Sequence, residues 1–315
     1  MIDGDDLKLF AGSLRHATES HSGPGLDAAL EELGWQEALV AGTRAAVPLL
    51  FEFQGAANTV SSALDQVLTT ALGYRAATVV LPALGQWTAP GTLDGGRLAV
   101  RGLGTAGLRD RETALIVART GESHVAVEVE TASLTRRAVG GIDPSLSLSE
   151  VTAQAGGARE LGPADWRPAI ALGQLALGHE MVGASRRMLE LAREHARERI
   201  QFGRPIATFQ AVRHRLAETL VAIEAAAAML DAAWLDHLPQ TAGMAKAAAG
   251  RGARTAARHC QQVLAGIGFT TEHPFHRYVR RIMVLEQLLG ATRSLDRELG
   301  GEILTRGQLP ALLPL

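Results

Sequence analysis

Residues 197–218 read RERIQFGRPIATFQAVRHRLAE and connect two long stretches of helical sequence through a short turn. Gly203 and Pro205 lie in that turn. Because proline lacks a backbone N–H and its ring fixes φ, a helix does not continue through Pro205. The segment therefore predicts two helices that meet at a tight connection, with Arg199 just before the bend.

The sequence on both sides of this turn has the apolar spacing of helices. Pro168 suits the first turn of a helix, where a missing N–H has no consequence, and that helix is expected to run to about Glu198. In the next helix, side chains spaced three, four or seven apart form one apolar face: Phe209, Val212, Leu216, Leu220, Ile223 and Leu230.

Two further helices are predicted towards the C-terminus. The second helix is expected to stop near Pro239, and a third covers about 241–264. A fourth begins after Pro274 and reaches about 299. Four long helices joined by short loops predict a four-helix bundle.

The sequence upstream of the bundle, about 81–165, has a different texture. Four short runs alternate apolar and polar residues and are separated by Gly, Asp, Pro or Ser: GRLAVRG, TALIVART, HVAVEVE and SLTRRAV. Such alternation is typical of half-buried antiparallel strands. We expect four to six strands here, with Gly156-Gly157 and Gly162-Pro163 marking the exit.

The first 80 residues are expected to be helical again. AALEELGWQEALVAG and TVSSALDQVLTTALG have helical periodicity, and FEFQGAAN between them is interpreted as a connection that contains glycine. The expected fold class is mainly α with a small β domain. Its three parts are N-terminal helices over 1–80, a reduced β domain over 81–165 and a four-helix bundle over 166–315.

Composition excludes several classes of function. Of 315 residues, 20% are charged, 47% are hydrophobic and the net charge is -2, so we expect neither a nucleic-acid partner nor a membrane partner. The acidic start, MIDGDDLKLF, lacks the features of a signal peptide, and the single cysteine, Cys260, fits a reducing cytoplasm. The histidines show no metal spacing, so no metal site is predicted. Lys8 and Lys246 are the only lysines.

A second glycine-containing segment, QVLAGIGFTTEHPFHRYVRR, occupies residues 262–281. Together the two segments have the side chains that hold a nucleotide. Guanidinium groups fork onto pyrophosphate, aromatic faces stack, amides both donate and accept, and bare glycine N–H groups suit phosphate. The candidate nucleotide-binding residues are Arg199, Phe202, Gly203, Gln210, Gln262 and Gly266.

Both segments, in order and separation, resemble the two signatures of the acyl-CoA dehydrogenases. The first resembles Arg-x-x-Phe-Gly followed by a helix with Phe-Gln, and the second resembles Gln, a glycine turn, Glu-x-Pro and an arginine pair. The resemblance is strong over 167 to about 300, moderate over the β region and weak over the N-terminus. It implies an acyl-CoA dehydrogenase-like fold with FAD as the cofactor. In the family these residues hold the ADP half of the FAD that belongs mainly to the neighbouring subunit.

The catalytic base of the family has no counterpart in this chain. Acyl-CoA dehydrogenation needs a carboxylate to remove the α-proton while hydride passes to the flavin. In most of the family a Glu-Gly-Thr stretch supplies it, and an ungapped alignment places Leu289 there, followed by Gly290 and Ala291. In other members the base precedes an Arg-Pro-like helix start, and here Trp166 holds that position. Neither side chain accepts a proton.

Two nearby carboxylates are alternative candidates. Glu286 lies one helical turn before Leu289, although a solvated helix glutamate is the simpler interpretation. Asp165 adjoins Trp166 in a loop, where an N-cap role is expected. The flavin-ring segments usual in the family's middle domain are missing, and Trp87 in GQWTAP is the nearest tryptophan to that pattern.

These losses imply a hetero-oligomer. The pattern resembles the small, base-lacking subunit of actinobacterial α2β2 acyl-CoA dehydrogenases of steroid and cholesterol catabolism. The resemblance implies that a full-length sister chain supplies the glutamate and most of the pocket for a bulky acyl-CoA thioester. This chain would contribute contacts to the shared FAD and would be inactive alone.

Two other hypotheses stay open at this point. The chain is a self-sufficient homomeric dehydrogenase with a relocated base, for which Glu286 is the first candidate, or it is a structural or regulatory bundle that binds no nucleotide. An intact Arg-x-x-Phe-Gly turn argues against the bundle.

Overall fold

The computed structural model describes residues 4–74, 76, 78–156, 158–236 and 239–307 of the chain. Helices form both ends of the described chain and a sheet lies between them. The expected fold class, mainly α with a small β domain, is confirmed. In the part of the chain that the structure describes, no helix is long and apolar enough to cross a membrane.

The helices fall into an N-terminal group and a C-terminal group. The N-terminal helices are α1 Gly4–Ser20, α2 Pro24–Glu32, α3 Trp35–Ala57 and α4 Ala63–Ala71. The C-terminal helices are α5 Trp166–Glu198, α6 Gln210–Asp236, α7 Pro239–Leu264, α8 Phe275–Leu285 and α9 Thr292–Arg306.

The prediction that FEFQGAAN is a connection is wrong, because α3 continues through it to Ala57. Gly55 allows α3 to pack closely against α5. A Cβ on Gly55 would lie 2.0 Å from the carbonyl oxygen of Glu180, and one on Gly183 would lie 2.1 Å from the carbonyl oxygen of Glu52. Two glycines, one on each helix, thus let the backbones of α3 and α5 touch.

The middle of the chain forms a single mainly antiparallel sheet. Its strands are β1 Leu81–Pro82, β2 Gly91–Asp94, β3 Arg97–Gly104, β4 Thr113–Thr120, β5 Ser123–Glu130, β6 Thr135–Ala138, β7 Ser149–Gly156 and β8 Arg159–Pro163. Their order is β6-β7-β3-β2-β4-β5-β8, with β1 paired to β3 and only β2 and β4 parallel.

The expectation of four to six strands was too low, since the described residues contain eight in this sheet. All four predicted runs lie in strands. The strands that were missed are short or have weak alternation. β8 crosses Gly162 and Pro163, which were interpreted as part of the exit, because it pairs as an edge strand with β5. Proline is tolerated at an edge, where no ladder hydrogen bond is lost.

The helix predicted from Pro274 to about 299 is in fact two helices, α8 and α9, separated at 286–291. Leu289 and Gly290 have φ of 53° and 107°, in the left-handed region that ends a helix. Tertiary contacts stabilise the break. The Gln174 amide donates to the Leu289 carbonyl at 2.9 Å, and Lys246 Nζ donates to the Gly290 carbonyl at 2.6 Å.

A buried arginine joins the sheet region to the bundle. Arg281 on α8 is fully buried and its Nε donates to Asp143 Oδ2 at 2.6 Å, in the loop between β6 and β7. Its Nη1 donates to the Thr59 carbonyl at 2.7 Å and lies 3.3 Å from Glu180 Oε1 on α5. This ion-pair cluster connects four segments that are distant in sequence.

Candidate functional site

The first candidate segment forms a two-residue hairpin at the end of α5. Strands β9, Ile200–Gln201, and β10, Arg204–Pro205, pair across Phe202 and Gly203, whose φ values are 54° and 77°. Positive φ at both central positions is the geometry of a type I′ turn. Phe202 is 91% exposed, although a phenylalanine rarely adopts positive φ. The turn thus holds an aromatic ring out into solvent.

The residues around the hairpin are arranged to keep it rigid. The Ile206 amide donates to the Arg199 carbonyl at 2.9 Å, which closes the hairpin, and the Arg199 side chain is exposed. Phe209 packs edge-on to Phe202 with ring centroids 6.1 Å apart, and the Arg204 guanidinium lies 4.5 Å from the Phe209 centroid. Gln210 follows as the first residue of α6 and is also exposed.

The second candidate segment follows the end of α7. Gln262 is exposed in the last turn of that helix, and a 3-10 helix, Ala265–Phe269, follows it. A Cβ on Gly266 would meet nothing within 4 Å, so the backbone there is open to an approaching molecule. Phe269 is 76% exposed beside it.

Both segments lie at the same end of the bundle, as pair contacts along the helices show. α5 and α6 are antiparallel, since Arg186 meets Glu224 at 3.3 Å and the Trp234 indole donates to His179 Nε2 at 3.0 Å. α6 and α7 are antiparallel too, since Thr219 Oγ1 lies 3.1 Å from His259 Nδ1 and, one turn on, a Cβ on Gly252 would lie 3.0 Å from the Ala222 carbonyl oxygen. The C-terminal ends of α5 and α7 therefore point the same way.

We call this end the nucleotide end and define it by the six candidate residues Arg199, Phe202, Gly203, Gln210, Gln262 and Gly266. Among the described residues, no carboxylate lies within 4 Å of the Arg199 guanidinium, and neither glutamine side chain has a hydrogen-bond partner. The polar side chains of the nucleotide end are thus available to another molecule. Four exposed apolar residues lie on the same two segments: Ile200, Phe202, Ile267 and Phe269.

The two base positions, in contrast to the exposed nucleotide end, are both occupied by buried apolar side chains. Leu289 is fully buried, and a Cβ on Gly173 would lie 2.5 Å from Leu289 Cδ1, so α5 has a glycine where the leucine packs. Trp166 is 3% exposed and its indole N–H donates to the Trp87 carbonyl at 3.0 Å. Neither position offers a proton acceptor.

Glu286 is occupied by structural contacts. Its carboxylate accepts the Thr292 backbone N–H at 3.0 Å and the Arg254 guanidinium at 2.9 Å, so it caps the N-terminus of α9. Burial works to raise the pKa of Glu286, but the hydrogen bonds from Thr292 and the Arg254 charge outweigh it and leave the pKa below its ordinary value. A carboxylate held in this way is a poorer base than a free one.

Asp165 was expected at a helix N-cap, and it occupies the N-cap of α5 without a side-chain capping hydrogen bond. Lys246 was not among the candidates from the sequence, and it is fully buried and donates to the carbonyls of Glu286 and Gly290 at 3.0 and 2.6 Å. Burial lowers the pKa of Lys246 to about 7, and the Glu286 charge opposes that shift. The available signal was its rarity, since only two lysines occur in a chain rich in arginine.

A cavity of about 830 Å³ lies between the sheet and the opposite end of the bundle from the nucleotide end. It is lined by the start of α5 with Trp166, the start of α7, one face of α9, and the segment around Trp87. Leu289 and Glu286 do not line it. Glu286 thus does not face the open space that could hold a substrate.

Comparison with known proteins matches this arrangement to a family. The family model described as acyl-CoA dehydrogenase, C-terminal domain, matches residues 167–301. Residues 167–301 are thus similar to the C-terminal domain of the acyl-CoA dehydrogenases. The match covers both signature segments, helices α5 to α8 and most of α9.

A curated relative and two solved structures extend the likeness. Acyl-CoA dehydrogenase IpdE2 of Mycobacterium tuberculosis is 37% identical over 163 residues, which are 51% of this chain and 50% of that protein. The ChsE4-ChsE5 complex of M. tuberculosis superposes with a TM-score of 0.78 at 22% identity, over 97% of this chain and 98% of that one. The Tcur3481-Tcur3483 steroid ACAD superposes with a TM-score of 0.80 at 21% sequence identity, over 96% of this chain and 99% of that one.

These likenesses confirm the predicted resemblance to the acyl-CoA dehydrogenases, in sequence over residues 167–301 and in fold over most of the chain. The chain matches about half the length of the curated relative named above. At 21 to 22% identity the two solved structures share the fold with this chain. Members of that family are oxidoreductases that act on CH–CH bonds and use FAD.

Proposed function

We propose that this chain is a non-catalytic subunit of a heteromeric FAD-dependent acyl-CoA dehydrogenase. A homologous sister chain, in an α2β2 assembly, supplies the catalytic glutamate. One contrast carries the proposal: the nucleotide end is exposed and unpartnered, whereas Leu289 and Trp166 close both base positions.

The residues of the nucleotide end fit the ADP half of FAD bound mainly by the sister chain. Arg199 is the fork for the pyrophosphate, and exposed Phe202 offers an aromatic face. Gln210 and Gln262 donate and accept towards the adenosine, and the open backbone at Gly266 admits a phosphate. FAD, when bound, supplies the hydride acceptor, and this chain's residues position its nucleotide.

The exposed apolar residues of the nucleotide end support an interface. Phe202 and Phe269 are 91% and 76% exposed, which is unfavourable unless another surface covers them. Aromatic side chains surrounded by polar groups are typical of the centre of a protein–protein interface. We infer that the sister chain covers them.

The proposed substrate is a bulky, steroid-derived acyl-CoA thioester, which undergoes α,β-dehydrogenation. Support comes from the solved steroid ACAD, whose fold this chain shares. The other solved structure is itself a complex of two different chains, which supports a heteromeric assembly. The acyl pocket belongs to the sister chain in this proposal.

The test is to express the full chain alone and together with a homologous full-length acyl-CoA dehydrogenase that retains its glutamate. We expect a colourless, inactive protein alone and a yellow complex on co-expression, with FAD quantified by absorbance and stoichiometry by mass. In the complex, Arg199→Gln should reduce bound FAD, since removal of one charge-assisted fork weakens binding about tenfold or more. Arg193→Gln, an exposed arginine on the same helix, is the matched control.

Two outcomes would replace the proposal. A yellow, active chain in isolation, whose turnover is abolished by Glu286→Gln, would establish the self-sufficient homomeric enzyme. Unchanged FAD content in the Arg199→Gln complex, with assembly intact, would instead favour a structural or regulatory bundle without nucleotide contact.

A further inference from the structure

The second segment of the nucleotide end leaves α7 through an alanine in an unusual backbone conformation. Ala265 directly follows Leu264, the last residue of α7, and its φ is 53°. This left-handed region is unfavourable for a residue with a Cβ and is the usual place of a glycine at the end of a helix. Such a conformation persists where surrounding contacts hold it. The path of this turn therefore depends on the side chains around it.

The side chain that holds the turn is that of Gln261, in the last turn of α7. Its Nε2 donates to the Ala265 carbonyl at 3.1 Å, four residues further along the chain. Gln261 is half-buried, whereas the adjacent Gln262 is exposed and has no hydrogen-bond partner among the described residues. One of these two neighbouring glutamines is thus bonded within the turn, and the other is available to another molecule.

Gly268, at the far side of the turn, is buried against the Gln261 amide. A Cβ on Gly268 would lie 2.5 Å from Gln261 Nε2 and 3.1 Å from Leu264 Cβ. The φ of Gly268 is not positive, so its backbone conformation alone does not require a glycine. The missing side chain at this position therefore leaves the space that the Gln261 amide needs to reach Ala265.

Gly266 lies between these two contacts, and its own surroundings are open. It is exposed, and a Cβ there would meet no atom within 4 Å. The turn is fixed on one side of Gly266 by the bond to Ala265 and on the other by the packing of Gly268 on the Gln261 amide. A bare backbone N–H that is already held in place binds a phosphate without a further loss of chain entropy.

We propose that Gln261 is a positioning residue of the nucleotide end. Its amide fixes the turn at residues 265–268, so that the backbone at Gly266 and the exposed side chain of Gln262 meet the nucleotide of the shared FAD in one arrangement. Gln261 itself does not contact the nucleotide. This inference rests on the proposed function, because it assigns a role towards the FAD that this chain and the sister chain share.

Two substitutions displace the same amide by different routes. Gln261→Met keeps the length of the side chain and removes the donor. Gly268→Ala leaves Gln261 in place but puts a methyl group 2.5 Å from its Nε2, so the flexible side chain moves away and the chain still folds. In the complex with the sister chain, each variant should weaken FAD binding about fivefold, because the turn loses the hydrogen bond that holds it. The dissociation constant is measured from the FAD released on serial dilution, followed by flavin fluorescence.

The double variant tests whether the amide is the common cause. Since the amide is displaced only once, Gln261→Met combined with Gly268→Ala should weaken FAD binding about fivefold, as each substitution does alone. Two independent effects would instead multiply to about twenty-five-fold.

The isolated chain supplies a second measurement, which needs neither FAD nor the sister chain. Hydrogen exchange followed by mass spectrometry should be faster at residues 265–269 in both single variants, because the turn is no longer held. Gln36→Met is the matched control, since Gln36 Nε2, on α3 and outside the nucleotide end, also donates one bond of 3.1 Å, to Thr70 Oγ1. The control should leave both the exchange at residues 265–269 and the FAD affinity of the complex unchanged.

Failure of this inference differs from failure of the proposed function. Unchanged FAD affinity in the Gln261→Met complex, together with weaker binding in the Arg199→Gln complex, would overturn the positioning role and leave the proposed function in place. Effects that multiply in the double variant would also overturn the positioning role, because the two substitutions would then not act through one amide. Unchanged FAD affinity in the Gln261→Met and Arg199→Gln complexes alike would overturn both.

Discussion

The nucleotide end and the base positions of this chain belong to the same bundle and differ in every physical respect. At the nucleotide end, Phe202 is 91% exposed and Arg199 has no carboxylate within 4 Å among the described residues. At the base positions, Leu289 and Trp166 are buried, and the backbone around Leu289 is hydrogen-bonded to Gln174. The first region has exposed, unpaired side chains, whereas the second is buried, with Leu289 in the core and Trp166 in the wall of the cavity.

The side chains of the two regions contribute differently to folding. Exposed aromatic and unpaired polar groups contribute little to the stability of the folded chain and are free to contact another molecule. A catalytic base in an open pocket contributes nothing to folding, and here core side chains stand in its place. Substitutions in the two regions should therefore separate stability from binding.

The largest expected loss of stability comes from the buried cluster behind the base positions. Arg281→Met removes the charge that faces Asp143 and Glu180 and leaves two carboxylates without their cation. Breaking a buried ion pair by removing one partner costs about 3–5 kcal/mol. Urea unfolding followed by circular dichroism measures it. Arg277→Met, an exposed arginine of the same helix, is the control and should change stability by less than about 0.5 kcal/mol.

A glutamate restored at the base position should destabilise the protein and not activate it. Leu289→Glu places a carboxylate where the leucine side chain packs near Leu68 and Gly173, while the nearby polar groups of Gln174 and Lys246 already donate to backbone carbonyls. We expect a loss of about 3 kcal/mol, whereas Leu289→Met should cost less than about 1.5 kcal/mol. Dehydrogenase turnover by the Glu variant alone would contradict the view that this region has become core.

Much of the bundle was predictable, because proline punctuates it. Pro168, Pro205, Pro239 and Pro274 lie at helix boundaries in the structure, as the sequence predicts. No proline marks the break between α8 and α9. Leu289 takes a left-handed φ only because Gln174 and Lys246, distant in sequence, hold the carbonyls of that turn.

The role of Gly55 was not predictable from the local sequence. Gly55 resembled a turn residue and is instead the point where α3 touches α5, an approach that depends on Gly183 more than a hundred residues later. The candidate nucleotide residues were identifiable from local motifs. The capping role of Glu286 was not, since its partners Arg254 and Thr292 become neighbours only through tertiary packing.

The turn at the base position should make stability depend on pH. Lys246 has a pKa of about 7 in the folded chain and an ordinary value of 10.5. Between these values the unfolded chain binds more protons, so stability rises with pH in that window. From pH 7 to 8.5 we expect a gain of about 1.5 kcal/mol.

Lys246→Met is the comparison that isolates this effect, since it should abolish the rise. The histidines with lowered pKa titrate below this window. Burial raises the pKa of Cys260 to about 12, so ionisation of the unfolded thiol lowers stability by about 0.2–0.4 kcal/mol at pH 8.5, and it does so equally in the wild type and the variant. The free energy of unfolding is measured in urea at pH 7 and 8.5. An equal change between the two pH values for the wild type and the variant would show that Lys246 stays charged in the folded chain.

The smallest effect on folding is expected at the nucleotide end. Phe269→Ala removes a ring that is 76% exposed, so the isolated chain should change in stability by less than about 0.5 kcal/mol. Leu304→Ala, at an 85% exposed position on α9, is the matched control at the other end of the bundle. If the sister chain covers Phe269, only the first variant should weaken co-purification, by about tenfold in dissociation constant. Equal behaviour of the two variants in assembly would mean that the exposed aromatic groups serve no interface, and the contrast between the two regions would then concern solubility and not partnership.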